Sequence, residues 1–580
     1  MILAAGRLQF PDYFILIGYF TLILGIGAYF YRYMRRMKDF FSGGNSIPWW
    51  LSGVSFYMSC FSAFGFVAYS ALAFEFGWVA VTIFWVMAPA TLVSTIFMSR
   101  RWRRARIDSP VEYLESRYSP AVRQAFAWQG VPVRVIDDSL KLVAIGKFIE
   151  QCLGLRMGPS MFWSGLIMLL YTFMGGLWAV TVTDFIQFIV MLAGIAVLLP
   201  LSISAAGGIS TFLQDSPEGF FRLASPEYSW VYLGTTAFLF CLAFSSVNWA
   251  LIQRFYCVPK EKDALKVGWL VFALSIIGPP LILLPAMAGS HFLTGVEDTN
   301  QVYPKLCVEL LPPGMLGLII AAMFSATMSM LSSDYNVAAS VLTNDLYRRL
   351  IAPGASQRRL VWVGRGMTLA IGLIALGTAF LMARAEGDEL FRNMVKLFSV
   401  ATAPVAIPMI AGLLTRKVTN AGALAGFLAG LMAGIAALML CPDTFELFGA
   451  LCKKENGIVF TTVPITFIWM VLVSWLDRAL VSRSEQGQVD TFLHRLEVPI
   501  GQSREDRVAV TGGDRGAISP FGLVGVSTML IGGMMLVVLP WVGGGLAFGM
   551  SLGVGLALML LGALLTIASR RRSAPAPEPQ

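Results

Sequence analysis

The 580-residue sequence predicts an all-α, polytopic membrane protein, and three observations carry that prediction. It is 57% hydrophobic and only 13% charged, where soluble domains carry about 25% charged residues. Apolar runs close to the ~20 residues needed to cross a bilayer recur from one end to the other. Lys and Arg gather in alternate short loops between those runs, which is the positive-inside pattern.

Taken in order, the apolar runs predict about fifteen transmembrane helices, at 10–31, 49–74, 78–99, 122–153, 159–178, 181–204, 230–252, 266–290, 313–347, 361–384, 388–414, 420–441, 459–477, 518–540 and 546–569. The first run is long enough to span and has no basic stretch ahead of a cleavage site, so it reads as a span and not as a signal sequence. The loops 32–48, 99–121, 253–265, 348–360, 415–419 and 478–517 hold nearly all the loop Lys and Arg. That places the N-terminus outside and the C-terminus inside. The run Arg100-Arg101-Trp102-Arg103-Arg104-Ala105-Arg106 is typical of these loops, so the net charge of +9 is a membrane-topology signal and predicts no nucleic-acid partner. The 478–517 segment is polar, too short for a catalytic domain, and reads as a cytoplasmic connector. The Pro-rich tail at 570–580 is cytoplasmic in this topology. The seven cysteines contain no CxxC pair, so no metal or redox framework is expected. Cys441 and Cys452 share one predicted outer loop and are read as unpaired thiols.

Polar interruptions of apolar helices mark the working parts of a membrane protein. In the second span Ser55, Ser59, Ser62 and Gly65 cluster at mid-span. They suit either an unwound stretch with inward carbonyls or close helix packing. The seventh span has a matching interruption at Ser245-Ser246-Val247-Asn248, five spans later. Two interrupted helices at corresponding positions point to an inverted-repeat transporter with its site near the midplane. Gly175-Gly176 predicts a tight turn, with Asp184 just beyond it; that carboxylate faces protein, water or a cation, or else lies at the interface. In Ala326-Thr-Met-Ser-Met-Leu-Ser-Ser-Asp-Tyr-Asn336, the hydroxyls of Ser329, Ser332 and Ser333 share one helix face. They suit a small hard cation, or equally serve their own backbone carbonyls. The fourth span carries Arg134, Asp137, Asp138 and Lys141, spaced so that each basic group meets a carboxylate three or four residues away, with Lys147 and Glu150 as a second pair. This stripe either lines an aqueous path or is purely structural.

Several ordered motifs resemble the sodium/solute symporter family over about residues 10–480. They include GGNSIPWWLSGVS (43–55), SPVEYLESRY (109–118), GGLWAVTVTDFIQ (175–187), NWALIQRFYCVPKEKDALKVG (248–268), LPPGMLGLIIAAMFSATMSMLSSDYNVAASVLTNDLY (311–347) and AIPMIAGLLTRKVTNAGALAGFLAG (406–430). The resemblance implies a LeuT-like 5+5 inverted-repeat core. The organisation is then a peripheral first helix and inner loop (1–48), the core in spans two to eleven (49–414), peripheral helices (415–477), the connector (478–517) and two additional helices (518–569). It implies a general sodium site built from the carbonyls of Met58, Phe61 and Ala326 and the hydroxyl of Ser329. Met330 stands where relatives carry a second hydroxyl, and a thioether is a poor ligand for a hard cation; this predicts a weakened, rearranged or lost site. A second sodium site present in some relatives is matched by Asp184, Ser329, Ser332 and Ser333. Asp334 is unusual at its position and receives no role. Position in the interrupted helices makes Ser62, Gly65, Phe66, Phe244, Ser245 and Asn248 the candidate solute-binding residues. Gly65, Phe84 and Cys241 stand where sugar-carrying relatives have hydrogen-bonding side chains, which disfavours a hexose.

The expected function is sodium-coupled symport of a small organic solute by alternating access in the cell membrane. Its partners are the solute and the bilayer, with no organic cofactor and no evident obligatory protein partner. Proton-coupled or uncoupled transport on the same fold is the alternative. A membrane sensor would need an output domain. An intramembrane enzyme would need a nucleophile with its base, or a motif such as HExxH, and His291 at an outer edge supplies neither.

Overall fold

The computed structural model describes residues 8–31, 37–60, 62–107, 109–110, 112–296, 298–384, 390–447, 449–502 and 520–573. Helix α1 (Phe10–Tyr31) is held at its start by buried Asp12, whose Oδ1 accepts from the N–H groups of Gly314 and Gly317 at 2.8 Å each. The second predicted span is two helices, α2 (Trp49–Met58) and α3 (Ala63–Phe76). Ser62 between them is extended, with φ −147° and ψ 173°, and Thr327 caps the restart by accepting from Ala63 N–H at 2.8 Å. Unwound backbone at membrane depth is tolerated where protein supplies such partners.

Helix α4 (Trp78–Arg104) contains a π turn at Ser94–Met98. The 34-residue α5 (Pro120–Leu153) begins at Ser119, whose hydroxyl caps Val122 N–H at 3.4 Å. Two predicted spans fall in Met157–Ala205 (α6), where the chain turns at Gly176 with φ +57°. A Cβ there would lie 2.9 Å from the Phe40 carbonyl oxygen, so both the turn and the close approach call for glycine. The seventh span breaks as predicted near Asn248. Helix α7 (Trp230–Leu242) passes into a π turn at Ala243–Val247, closed by Asn248 N–H donating to Ala243 O at 2.8 Å. Asn248 Oδ1 then caps α8 (Trp249–Tyr256) through Leu251 N–H.

Next come α9 (Glu261–Gly289), α10 (Met315–Val341, extended by π turns to Ile351), α11 (Gln357–Arg384), α12 (Leu390–Leu414) and α13 (Asn420–Leu440). A short antiparallel hairpin, β1 (Thr444–Leu447) and β2 (Ala450–Lys453), leads into α14 (Lys454–Asp477). Cys441, ahead of the hairpin, and Cys452, on β2, are free thiols. The connector is not featureless: Ser482 and Glu485 form a capping box that starts α15 (Arg483–Glu497). Phe492 of that helix stacks on Tyr113, 5.8 Å between ring centroids, and Arg104 and Arg106 donate to the carbonyls of Leu496 and Arg495 at 3.1 and 3.2 Å. Helices α16 (Pro520–Val537) and α17 (Leu546–Ser573) pack on each other and touch α6.

Helix α10 is the hub. It is almost wholly buried and packs against α6, α1, α5 and α11. Among the described residues, twelve helices are long and apolar enough to cross a membrane, and Gly65–Phe76 is a shorter apolar helix. The twelve include twelve of the fifteen predicted spans. The other three are helical too: the second breaks between α2 and α3, the fourth carries more charge than a simple span, and the fifth is the part of α6 before the Gly176 turn.

Candidate transport site

The two helix breaks border one partly open cavity of about 80 Å³. That is well below the ~300–1,000 Å³ of a typical small-molecule site, so a solute needs the walls to move apart. Of the six candidate solute residues, Ser62, Gly65, Phe244 and Asn248 line it. A Cβ on Gly65 would meet no atom within 4 Å, so this glycine keeps the cavity open and has no packing constraint. Phe66 and Ser245 are placed elsewhere. Phe66 is fully buried against Tyr303, and the Ser245 carbonyl accepts from Trp102 Nε1 at 2.9 Å. Phe84, Tyr69, Phe240, Phe398, Met330 and Thr402 also border the cavity, as do Asp137 and Lys141 from α5.

Behind α2 lies a buried cage in which four helices meet. Asp184 of α6 accepts from Ser55 through Oδ2. The guanidinium of Arg254, from α8, lies 3.5 Å from that same oxygen. Arg254 also donates to Ser55 Oγ at 2.8 Å, to Ser333 Oγ at 2.6 Å and to Gln253 Oε1 at 2.7 Å. Ser59 closes the cage 3.1 Å from Ser333 Oγ. All of these side chains are essentially excluded from solvent, so the ion pair is held by charge-assisted hydrogen bonds, as a buried pair must be.

The structure thus brings Asp184, Ser329 and Ser333 to one region, but their states differ. Ser333 is engaged by Arg254. Ser332 donates to its own helix, to Ser329 O at 3.1 Å. Asp184 Oδ1 and Ser329 Oγ are buried, and beyond the contact between Asp184 and Ser329 neither has a partner. A carboxylate oxygen and a hydroxyl left unsatisfied in the same cage fit an added hard cation. Ala326 and Met58 are fully buried on α10 and α2 beside it, whereas Phe61 lies outside the described residues.

Asp334, which the sequence leaves without a role, belongs to a second charged centre. Its carboxylate accepts from Arg134 and lies 3.0 Å from Lys141 Nζ. Lys141 also meets Asp137 at 2.7 Å and Asp138 at 3.0 Å. Helical spacing foretells the Lys141 contacts along α5. It cannot foretell that Arg134 reaches across to α10 and turns away from its own helix. Arg254 is the functional candidate that sequence reasoning misses altogether, because it sits just past the predicted seventh span and counts there as a loop charge.

Interrupted helices meeting around a buried cavity, with a carboxylate–hydroxyl cage beside it, define a secondary transporter. Residues 40–430 match the model of the Sodium:solute symporter family, and the chain belongs to that family. It is similar to the sodium/sialic acid symporter NanT of Aliivibrio fischeri, 24% identical over 71% of this chain and 85% of that one. It is also similar to sodium/glucose cotransporter 2 of Rattus norvegicus, 25% identical over 86% of this chain and 82% of the relative. The solved structure of a Na⁺-coupled sialic acid symporter has the same fold, with a TM-score of 0.71 at 22% identity over 81% of this chain and 98% of that one. The protein is accordingly a multi-pass membrane symporter that couples a solute to sodium, and not an enzyme.

Proposed function

We propose that the chain binds its coupling sodium ion in the Asp184 cage and its solute in the cavity between the two helix breaks. Asp184, Ser329, Ser332 and Ser333 supply the ion's oxygens, and the carbonyls of Met58, Phe61 and Ala326 with Ser329 supply a weaker general site. The fifteen spans, with the N-terminus outside, the C-terminus inside and an inverted-repeat core over spans two to eleven, give the frame for alternating access in the cell membrane. The relatives carry sialic acid or glucose by their names. Here Gly65 and Phe84 border the cavity without polar side-chain tips, so a small organic solute other than a hexose fits better.

The observation that carries this reading is the pair of buried oxygens, Asp184 Oδ1 and Ser329 Oγ, with no partner beyond the contact between their two residues, beside a guanidinium that neutralises the carboxylate. In the apo protein Arg254 balances Asp184. An arriving sodium ion takes the free oxygens and weakens the hold on Arg254, which is anchored on α8 directly after the second break. Each cation carried inward supplies about 2.3 kcal/mol per 100 mV of membrane potential. Binding can drive the conformational change only by as much as the ion prefers one arrangement of these helices.

The test is uptake of labelled monocarboxylates, amino acids, sialic acid, sugars and amines into proteoliposomes under an inward sodium gradient, a proton gradient or neither. Sodium-driven uptake that is lost in Asp184→Asn and Ser332→Ala is the expected result. Uptake that runs equally well on protons alone refutes sodium coupling through this cage. Gly65→Leu, which fills the cavity where space is open, is expected to abolish uptake without lowering the unfolding temperature.

A further inference from the structure

One carboxamide joins the Asp184 cage to a distant stretch of backbone. Arg254 Nη1 donates to Gln253 Oε1 at 2.7 Å. Gln253 Nε2 donates to the Phe41 carbonyl at 2.6 Å and to Asn336 Oδ1 at 3.0 Å. Asn336 Nδ2 in turn reaches the Phe40 carbonyl at 3.4 Å. A guanidinium can only donate and a backbone carbonyl can only accept, so a single orientation of the Gln253 amide serves both. Gln253, Arg254 and Asn336 are fully buried. The cage therefore holds Gln253 from one side, and Gln253 holds the Phe40–Phe41 backbone from the other.

That backbone belongs to the short helix Met37–Ser42 ahead of α2, in a loop that the charge pattern places on the inner side. Ser329, Ser333, Asn336, Ser340 and Thr343 succeed one another at steps of four, three, four and three residues. One buried face of α10 is thus polar from the cage toward its inner end. Gln253 covers this face at Asn336. Phe41 covers it at Thr343: a Cβ on Gly364 of α11 would lie 2.7 Å from the Phe41 ring and 3.6 Å from Thr343 Oγ1. Past Phe41 the chain is tied again. Trp178 Nε1 holds the Gly43 carbonyl at 3.1 Å, and Asn45 Nδ2 and Ile47 N–H donate to the carbonyls of Tyr256 and Cys257 at 2.8 and 3.2 Å. Gly43 and Gly44, with φ of +59° and +63°, sit where this fixed part begins.

We propose that Gln253 is the positioning residue that links sodium in the cage to an inner seal formed by Phe40–Phe41. This rests on the reading of the Asp184 cage as the sodium site. While Arg254 faces Asp184, the amide is locked and the segment stays across the inner end of the polar face. Sodium on Asp184 repels the guanidinium, and Gln253 loses the partner that fixes its oxygen. Its hold on Phe41 then fails, and the segment swings away about the two glycines.

The experiment places Ser340→Cys in the purified full-length protein in nanodiscs. Its reaction with a small cationic thiol reagent, a trimethylammonium methanethiosulfonate, is followed at position 340 by mass spectrometry. In potassium chloride, adding Gln253→Leu is expected to speed labelling about tenfold, since the hydrogen bonds that hold the segment are gone. Gln253→Glu keeps an acceptor for Arg254 but loses the donors to Phe41 and Asn336, and is expected to do the same. Replacing potassium by sodium is expected to speed labelling about threefold with Gln253 intact and to add nothing in either Gln253 variant. Less than a threefold rise in either variant overturns the proposal. So does a matching rise at buried Cys307, which a general loosening would give, or a sodium effect of equal size with and without Gln253. The intrinsic tryptophan fluorescence change on adding sodium, and its loss in Asp184→Asn, reports the sodium cage separately. Labelling that ignores sodium while the fluorescence responds therefore refutes the Gln253 link alone, and a missing fluorescence response refutes the cage.

Discussion

Two buried charged centres share helix α10, and they are built on opposite principles. The Asp184 centre sets one carboxylate against one guanidinium and surrounds them with the hydroxyls of Ser55, Ser59 and Ser333. The Asp334 centre gathers three acidic side chains around Lys141, with Arg134 joining Asp334 to the Val247 carbonyl. The first is balanced until an ion arrives, and its hydroxyls are the ligands a hard cation needs. The second is already filled, because Lys141 stands at the centre of its three acidic side chains. A buried carboxylate cluster is therefore not evidence of a sodium site. The nature of the neighbouring ligands and the charge balance decide what it can accept.

The comparison can be broken at its strongest point first. Lys141→Met leaves three carboxylates clustered without their central cation, and losing one partner of a buried charge network costs about 3–5 kcal/mol. The expected outcome is a large fall in unfolding temperature, read by thermal denaturation of the purified protein. Arg254→Met leaves Asp184 unpaired at a cost toward the lower end of that same ~3–5 kcal/mol range. Here sodium substitutes for the lost cation, so the variant is expected to gain more thermal stability from sodium than the parent does. Equal sodium responses in the two variants would erase the distinction between the centres.

Smaller changes sharpen it. Ser329→Ala removes a hydroxyl with no partner beyond Asp184, so it is expected to leave stability nearly unchanged. Sodium affinity, measured by titrating the fluorescence response, should fall about tenfold, since a hydrogen-bonding oxygen on a charged partner is worth about 1.5 kcal/mol. Met330→Ser restores a hydroxyl beside the general site and is expected to raise sodium affinity about threefold, below the ~1 kcal/mol of a typical hydrogen bond.

Much of the frame was legible because the rules that set it are local. Apolar length fixed where helices lie, and the polar runs at Ser59–Ser62 and Ser245–Asn248 and the glycines at 175–176 marked where they fail. The serine face of α10 was legible from helical spacing, and so were the Lys141 contacts within α5. What escaped was whatever depended on two distant segments. Asp334 found Arg134 and Lys141 some two hundred residues away in sequence. Arg254 was hidden for a different reason: counting basic residues near span ends treats every arginine as solvated, whereas this one is fully buried. Arg117, 1% exposed and donating to the carbonyls of Gly412, Thr415 and Val418, misleads in the same way. Ser332, expected to face an ion, instead serves the Ser329 carbonyl, because a helical serine always has its own backbone within reach.

The polar helix Arg483–Glu497 gives the experimenter a handle on a process otherwise hidden in lipid. Arg104 and Arg106, at the end of α4, grip its carbonyl end, and Phe492 is wedged against Tyr113. Tied in this way to α4, the helix is expected to follow any rearrangement of the transport core. Its exposed face, at Gln486 for example, can bear a probe in water, so inter-probe distances can follow the transport cycle with every membrane-embedded side chain left intact.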